Sequence, residues 1–338
     1  MKNCSDDVLK YHDAEVTLGA GQQDEMRERR NTNRDRLKSG LKKLNRKGPD
    51  EHVVQGSYAM KSMVQHPDNN YDIDDGAAFL PEQLLTDAGE PMTPEQAKQM
   101  VKKALEQDGR LPSPPKVLKN CVRIEYEAGY HVDIPVYRKT TDALGKDIFE
   151  LAGKDAWRKT NPREITEWFD RQVAAKKRFG ENDPQLRRMT REMKKFARVQ
   201  CGDNDAPAGL ILTILADEAF PFARDREDEA FRDVLRNLKA RIDRNWHVYN
   251  PADRTEELTK PADEAKFKKL SEAIDVALKK LAVLDDLACS RALARGAWDQ
   301  VFKTEFFSDL ERQDRERESS ASINPARPVN KQGGGTYA

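Results

Sequence analysis

Apolar residues along this chain change their spacing about halfway, and the change predicts two kinds of structure. From Asp24 to Asn45, Met26, Leu37, Leu41 and Leu44 fall on one face of a helix otherwise dense in Arg and Lys. His52 to Gln55 is a short β signal stopped by Gly56-Ser57, and Tyr71 to Leu80 reads as a second strand. Thr93-Pro94-Glu95-Gln96 has the form of a helix start, with Thr as N-cap, Pro at the first position and Gln at the third. That helix is expected to run to about Gln107. Val117–Tyr126 and His131–Tyr137 then read as two strands joined by a hairpin-type turn at Glu127-Ala128-Gly129.

After about residue 150 the period becomes helical. Asn161-Pro162-Arg163-Glu164 is an N-cap signature followed by Ile165, Trp168, Phe169 and Val173. Leu186–Val199 is helical and basic, and Pro207–Ala219 is apolar nearly all round, as in a buried helix. Phe231, Val234, Leu235, Leu238 and Ile242 form one further stripe, and Phe267, Leu270, Ile274, Leu278 and Leu281 another. Periodicity fades from about Glu311 into a glycine-rich end. The pattern predicts an α+β region with a small sheet over 31–150, a helical domain over 151–315, a polar N-terminal segment over 1–30 and a flexible tail over 316–338.

Composition narrows the partners. The 338 residues hold 59 Lys plus Arg and 59 Asp plus Glu, so the formal net charge is zero although 35% of residues are charged. A surface built to coat nucleic acid needs a basic footprint, so stable nucleic-acid binding is not expected. The apolar run Ala206–Ala216 is about half of the roughly 20 residues that span a bilayer, and Met1–Lys10 lacks the form of a signal peptide. Cys4, Cys121, Cys201 and Cys289 form no CxxC pair and suit a reducing compartment, so a cytoplasmic location is expected. Five scattered histidines offer no transition-metal spacing. A working metal would be held by carboxylates, which points to a hard cation such as Mg²⁺.

The candidate chemistry is carboxylate chemistry. Asp72 and Asp74 stand at i and i+2 on a strand, so both point to one face, whereas Asp75 points to the other. Two adjacent carboxylates repel unless a cation lies between them. Gly56-Ser57 sits at a strand-to-helix turn that lets a phosphate approach backbone N–H groups and a hydroxyl. Asp133 is a lone acid in an apolar strand. If that strand lies beside the one carrying Asp72 and Asp74, the three carboxylates converge, and such a set can hold two metal ions.

A Gly-Ser turn, then Asp-x-Asp, then a later strand Asp resembles the DNA polymerase β-type nucleotidyltransferase superfamily. The stretches Gln55–Tyr58, Tyr71–Gly76, Cys121–Tyr137 and Trp157–Phe169 resemble the bacterial cGAS/DncV-like nucleotidyltransferases of CBASS anti-phage defence, nearest to cyclic GMP–AMP synthases of the DncV type. The resemblance runs from about His52 to Phe220, with gaps. It implies a polymerase β-type core with a small mixed sheet and an all-helical C-terminal domain. It also implies two Mg²⁺ ions on Asp72, Asp74 and Asp133, the catalytic residues. Gln55, Gly56 and Ser57 match the phosphate-binding turn, Arg123 a base-contacting arginine, Lys194 a triphosphate-binding lysine, and Thr160 and Asn161 the positions that read the donor base. The implied activity joins nucleoside triphosphates, ATP and GTP foremost, into a cyclic dinucleotide such as a cGAMP isomer. A template-independent nucleotidyltransferase that modifies RNA or protein is the alternative; it would want a basic track that the zero net charge does not favour. Met60 replaces an aromatic of the DncV type, and a long insertion after the third-Asp strand is largely missing. The glycine-rich end at Ala338 is compatible with conjugation by an E1–E2-like CBASS partner.

Overall fold

The structure, a computed structural model, describes residues 1–111, 113–127 and 129–322. Among these, all strands join one mixed sheet, and its connectivity places the predicted carboxylates. Strand β1 (Glu51–Gln55) pairs antiparallel with β2 (Asp72–Phe79). On its other side β2 runs parallel to β5 (His131–Ile134) and β6 (Val136–Thr141). These two are one line interrupted at Pro135, which lacks an N–H but still offers its carbonyl to Ala77 N–H at 2.8 Å. The register is unbroken across it, from Asp72 opposite His131 to Phe79 opposite Arg138.

The expected strand over 117–126 is instead a hairpin. Strand β3 (Lys116–Val117) turns at Leu118–Cys121 into β4 (Val122–Glu125), which pairs with β5. The cause is local: Leu118 N–H donates to Cys121 C=O at 2.8 Å across a polar Lys-Asn pair. Two strands escaped the sequence reading, β7 (Asp147–Ala152) and β8 (Trp157–Lys159), which extend the sheet beyond β6. In the turn at 127–129, Ala128 lies outside the described residues.

Helices α2 (Ala20–Lys43) and α4 (Pro94–Leu105) cover the back of the sheet. They bury Met26, Leu37, Leu41, Ala97, Val101 and Leu105 against Ile73, Val122, Ile124, Val132 and Ile134. The start of α4 is capped as expected: Gln96 N–H donates to Thr93 Oγ1 at 3.2 Å, and Thr93 N–H to Gln96 Oε1 at 2.8 Å. Gly40 is forced by packing, because a Cβ there would lie 1.8 Å from the Ala104 carbonyl oxygen.

The second half is helical: α5 (Glu164–Lys176), α6 (Gln185–Cys201), α7 (Gly209–Ala219), α8 (Glu227–Arg244), α9 (Glu264–Leu281), α10 (Arg291–Phe302) and α11 (Phe306–Ser322). Helix α6 lies in their midst, with Met189, Met193 and Phe196 in the core. Asn161 is not the cap residue of α5. It forms a turn before it, its Oδ1 accepting from Arg163 N–H at 3.0 Å.

The polar N-terminal segment also belongs to this core. Helix α1 (Ser5–Tyr11) buries Val8 and Tyr11, and its Asp7 takes the Arg295 guanidinium at 2.8 and 3.1 Å. Helix α11 extends through Ser322, past Glu311 and past the expected boundary at 315. The glycine-rich end, with Ala338, lies outside the described residues. Among the described residues no helix is long and apolar enough to cross a membrane.

Candidate active site

Register across the strands builds one row of polar side chains on the front of the sheet. Gln55 on β1 stands opposite Asp74 on β2, Asp74 opposite Asp133 on β5, Asp133 opposite Arg123 on β4, and Arg123 opposite Lys116 on β3. Directly paired residues share a face, so all five project forward. Asp72, opposite His131, lies on the same face one pleat away. Asp75 faces backward, is buried, and takes Arg34 of α2, whose Nε donates to its Oδ2 at 2.6 Å.

Asp72, Asp74 and Asp133 each offer a carboxylate oxygen, and these oxygens lie within 4.8 Å of one another. Asp72 Oδ1 is buried without a hydrogen bond, 3.5 Å from His131 Nε2. The Asp74 carboxyl is pushed up to about 7, first by burial, then by the charges of Asp72 and Asp133. A crowded, oxygen-only donor set with an unsatisfied oxygen fits a hard divalent cation. Asp133 is held by Arg123, whose Nε and Nη2 donate to its two oxygens at 2.7 Å each. This fork–fork pair drives the Arg123 pKa up. The expected base-contacting arginine thus rests on the third carboxylate in this structure.

The Gly-Ser turn closes over the same carboxylates. Gly56 has φ +68°, and a Cβ there would lie 2.1 Å from Asp74 Oδ2, so both the backbone conformation and the close approach require glycine. Ser57 follows in the short helix α3 (Gly56–Ala59).

The loop after α3 is held by α6. Arg187 Nε donates to Met60 C=O at 3.1 Å, Arg191 Nη1 to Lys61 C=O at 3.3 Å, and Arg198 Nη1 to Gln65 C=O at 2.9 Å. Lys194 Nζ donates to Ser62 C=O and Oγ at 3.0 and 2.9 Å. Burial and the neighbouring Arg198 and Arg191 lower the Lys194 amine to about 7. Lys194 is therefore brought to the site's loop, with its amine on Ser62. Thr160 and Asn161 stand apart from the row, at the end of β8. Thr160 N–H donates to Phe149 C=O at 3.0 Å, and Asn161 bonds Arg163.

Sequence reasoning missed Arg187, Arg191 and Arg198. The signal was their spacing with Lys194, which repeats every three to four residues along one helical face. It also missed Tyr137, whose O–H donates to Gln55 Oε1 at 3.0 Å.

The comparisons with known proteins agree with this geometry. Residues 50–137, which span β1 through the start of β6, match the family model for the nucleotidyltransferase domain of DncV-like cyclic GMP–AMP synthases. Vibrio cholerae DncV, a cyclic AMP–GMP synthase, superposes with TM-score 0.68 at 16% identity over 89% of this chain and 96% of its own. Bradyrhizobium diazoefficiens CdnG in complex with GTP gives 0.66 at 17% identity, over 95% and 100%. Escherichia coli CdnC with ATP gives 0.65 at 14% identity, over 89% and 98%. At such identities the likeness is one of fold, and it extends through the helical half. The carboxylate row and the glycine turn both lie within residues 50–137, the stretch that is similar to the nucleotidyltransferase domain of DncV-like cyclic GMP–AMP synthases.

Proposed function

We propose that this chain is a cyclic-dinucleotide synthase of CBASS anti-phage defence, using purine nucleoside triphosphates to make a product of the cGAMP type. The observation that carries the reading is the convergence of Asp72, Asp74 and Asp133 beside the Gly56-Ser57 turn. The solved structures of similar fold with ATP and with GTP support the choice of substrate.

In each transfer, a ribose hydroxyl oxygen of one nucleotide bonds to the α-phosphorus of the other. The bond from that phosphorus to the bridging oxygen breaks, and pyrophosphate leaves. A second transfer within the linear product closes the ring. Two Mg²⁺ ions on Asp72, Asp74 and Asp133 would, when bound, neutralise the triphosphate and lower the pKa of the attacking hydroxyl.

The chain's own residues do the positioning, which is most of the catalysis in phosphoryl transfer. Gly56 lets the triphosphate lie against the backbone, and Ser57 offers a hydroxyl to it. Asp133 faces the acceptor hydroxyl once Arg123 leaves it for the nucleotide base. Lys194 meets the distal phosphates once its amine leaves Ser62 and takes up a proton, and Thr160 and Asn161 read the donor base.

Radiolabelled ATP, GTP, CTP and UTP, singly and in pairs with Mg²⁺, test this, with products digested by phosphatase and identified by mass spectrometry. The expected product is a phosphatase-resistant ring containing at least one purine, absent from the Asp72→Ala/Asp74→Ala variant. A linear or nucleic-acid-attached product, or turnover by that variant, overturns the reading.

A further inference from the structure

Tyr137 lies four residues after Asp133 on the line that Pro135 interrupts without shifting the register, so it shares the front face with the carboxylates. Its ring crosses β2 through a gap left by Gly76. A Cβ at Gly76 would lie 2.8 Å from Tyr137 Cε2, so the glycine between Asp74 and Ala78 is the slot that admits the ring. The ring is fixed there by Ala78, Phe149 and Leu151, edge-on to Phe149 at 6.2 Å between centroids. At 3% exposure it has no room to turn. Its hydroxyl reaches β1 and donates to Gln55 Oε1 at 3.0 Å. Burial pushes the phenol up to about 12, so the hydroxyl keeps its proton throughout the working range.

In this contact the Gln55 amide is held with Oε1 toward Tyr137. A glutamine amide has one acceptor oxygen and an NH₂ with two donors. With Oε1 occupied by Tyr137, Gln55 offers its NH₂ at the end of the polar row. It stands opposite Asp74 and immediately before the Gly56 turn. An amide NH₂ beside a turn shaped for phosphate suits an acceptor oxygen.

We propose that Tyr137 is a positioning residue, which acts through Gln55 by fixing its NH₂ as a donor to a triphosphate oxygen of the bound nucleotide. The inference rests on the nucleotidyl-transfer reading above and adds to it the polarity of one contact and the residue that sets it.

The test is a double-mutant cycle on the full chain, with the affinity for each Mg²⁺-NTP measured by calorimetry and KM and kcat measured separately. Tyr137→Phe keeps the ring in its slot and removes only the hydroxyl. It is expected to weaken nucleotide binding about fivefold, the worth of one neutral hydrogen bond. In a Gln55→Ala background the same change is expected to have no further effect. Gln55→Glu keeps an oxygen for Tyr137 but turns a carboxylate oxygen toward the phosphate, and is expected to bind worse than Gln55→Ala. Undiminished binding by Tyr137→Phe overturns the inference, as does an equal loss in the Gln55→Ala background. Binding by Gln55→Glu at the wild-type level overturns it independently of how the tyrosine variant folds. If the wild type binds none of the four nucleotides, the proposed function itself falls, an outcome distinct from these.

Discussion

Burying Asp74 beside two other carboxylates costs stability, and Asp74→Asn measures the cost. The Asp74 carboxyl titrates at about 7 in the folded chain against an ordinary 3.8. At about 1.4 kcal/mol per pH unit, that difference amounts to ~4 kcal/mol, which solvent at the mouth of the site trims to ~2–4 kcal/mol. Between pH 4 and 7 the folded protein keeps a proton that the unfolded chain has released. Stability therefore falls as pH rises through this window, and the full cost is present above it.

In EDTA, Asp74→Asn is expected to match the wild type near pH 4 and to be more stable by ~2–4 kcal/mol at pH 8. Denaturant melts across this range read the difference, which includes the relief that loss of the Asp74 charge gives Asp72 and Asp133. A divalent cation should then reverse the order. At 1,000 times its dissociation constant it stabilises the wild type by about 4.1 kcal/mol, and the variant by much less. A variant no more stable than the wild type at pH 8 in EDTA, or a difference that does not change with pH, refutes the electrostatic account of the trio.

Gly56→Ala meets both a positive φ and a Cβ 2.1 Å from Asp74 Oδ2. It is expected to cost about 1–3 kcal/mol of stability and about 100-fold in turnover through displacement of the carboxylate; retained turnover in the product assay contradicts this. Lys194→Met tests the buried amine, which titrates at about 7 in the folded chain. There the unfolded chain holds the extra proton, so wild-type stability rises with pH between 7 and about 10.5. The variant is expected to lose that rise in denaturant melts, and an unchanged slope shows that the amine is not desolvated.

The carboxylate row was legible because strand alternation is a strong local rule. Asp72 and Asp74 at i and i+2, and Asp133 flanked by Val132 and Ile134, state their faces without reference to the rest of the chain. The capping box at Thr93 was legible for the same reason. What could not be read depends on distant partners. Asp7 looks like a solvated charge until Arg295, 288 positions away, is placed on it. Strand β8, Trp157–Lys159, is three residues at a sheet edge with two exposed cations and carries no alternation. Helix α6 inverts the usual rule that a charged face is a wet one, because Arg188, Arg191, Glu192 and Lys194 are all buried. The three cations meet loop carbonyls, the Ser62 hydroxyl and acids from elsewhere in the chain, which no periodicity announces, whereas the Glu192 oxygens are buried without a hydrogen bond.

That inversion changes the meaning of the balanced charge. Some of it is placed inside or at the edge of the core: Arg34 with Asp75, Arg188 with Glu227, Arg295 with Asp7, and Arg123 with Asp133. Buried pairs return little net stability, because desolvation offsets most of their attraction. Their value here lies in where they hold things. Arg34 ties α2 to the back of β2 one residue after Asp74, while Arg30 of the same helix lies over the Tyr58 ring of α3 at 5.7 Å. From the other half, α6 fixes the carbonyls of Met60, Lys61, Ser62 and Gln65, immediately after α3. The Gly56 turn is thus flanked by contacts from two helices, α2 on Tyr58 and α6 on the loop after it. A glycine-containing turn has high intrinsic freedom, and a site whose chemistry is mostly placement cannot leave it free. On the proposed function, the helical half would therefore serve catalysis by supplying the rigidity that Gly56 gives up.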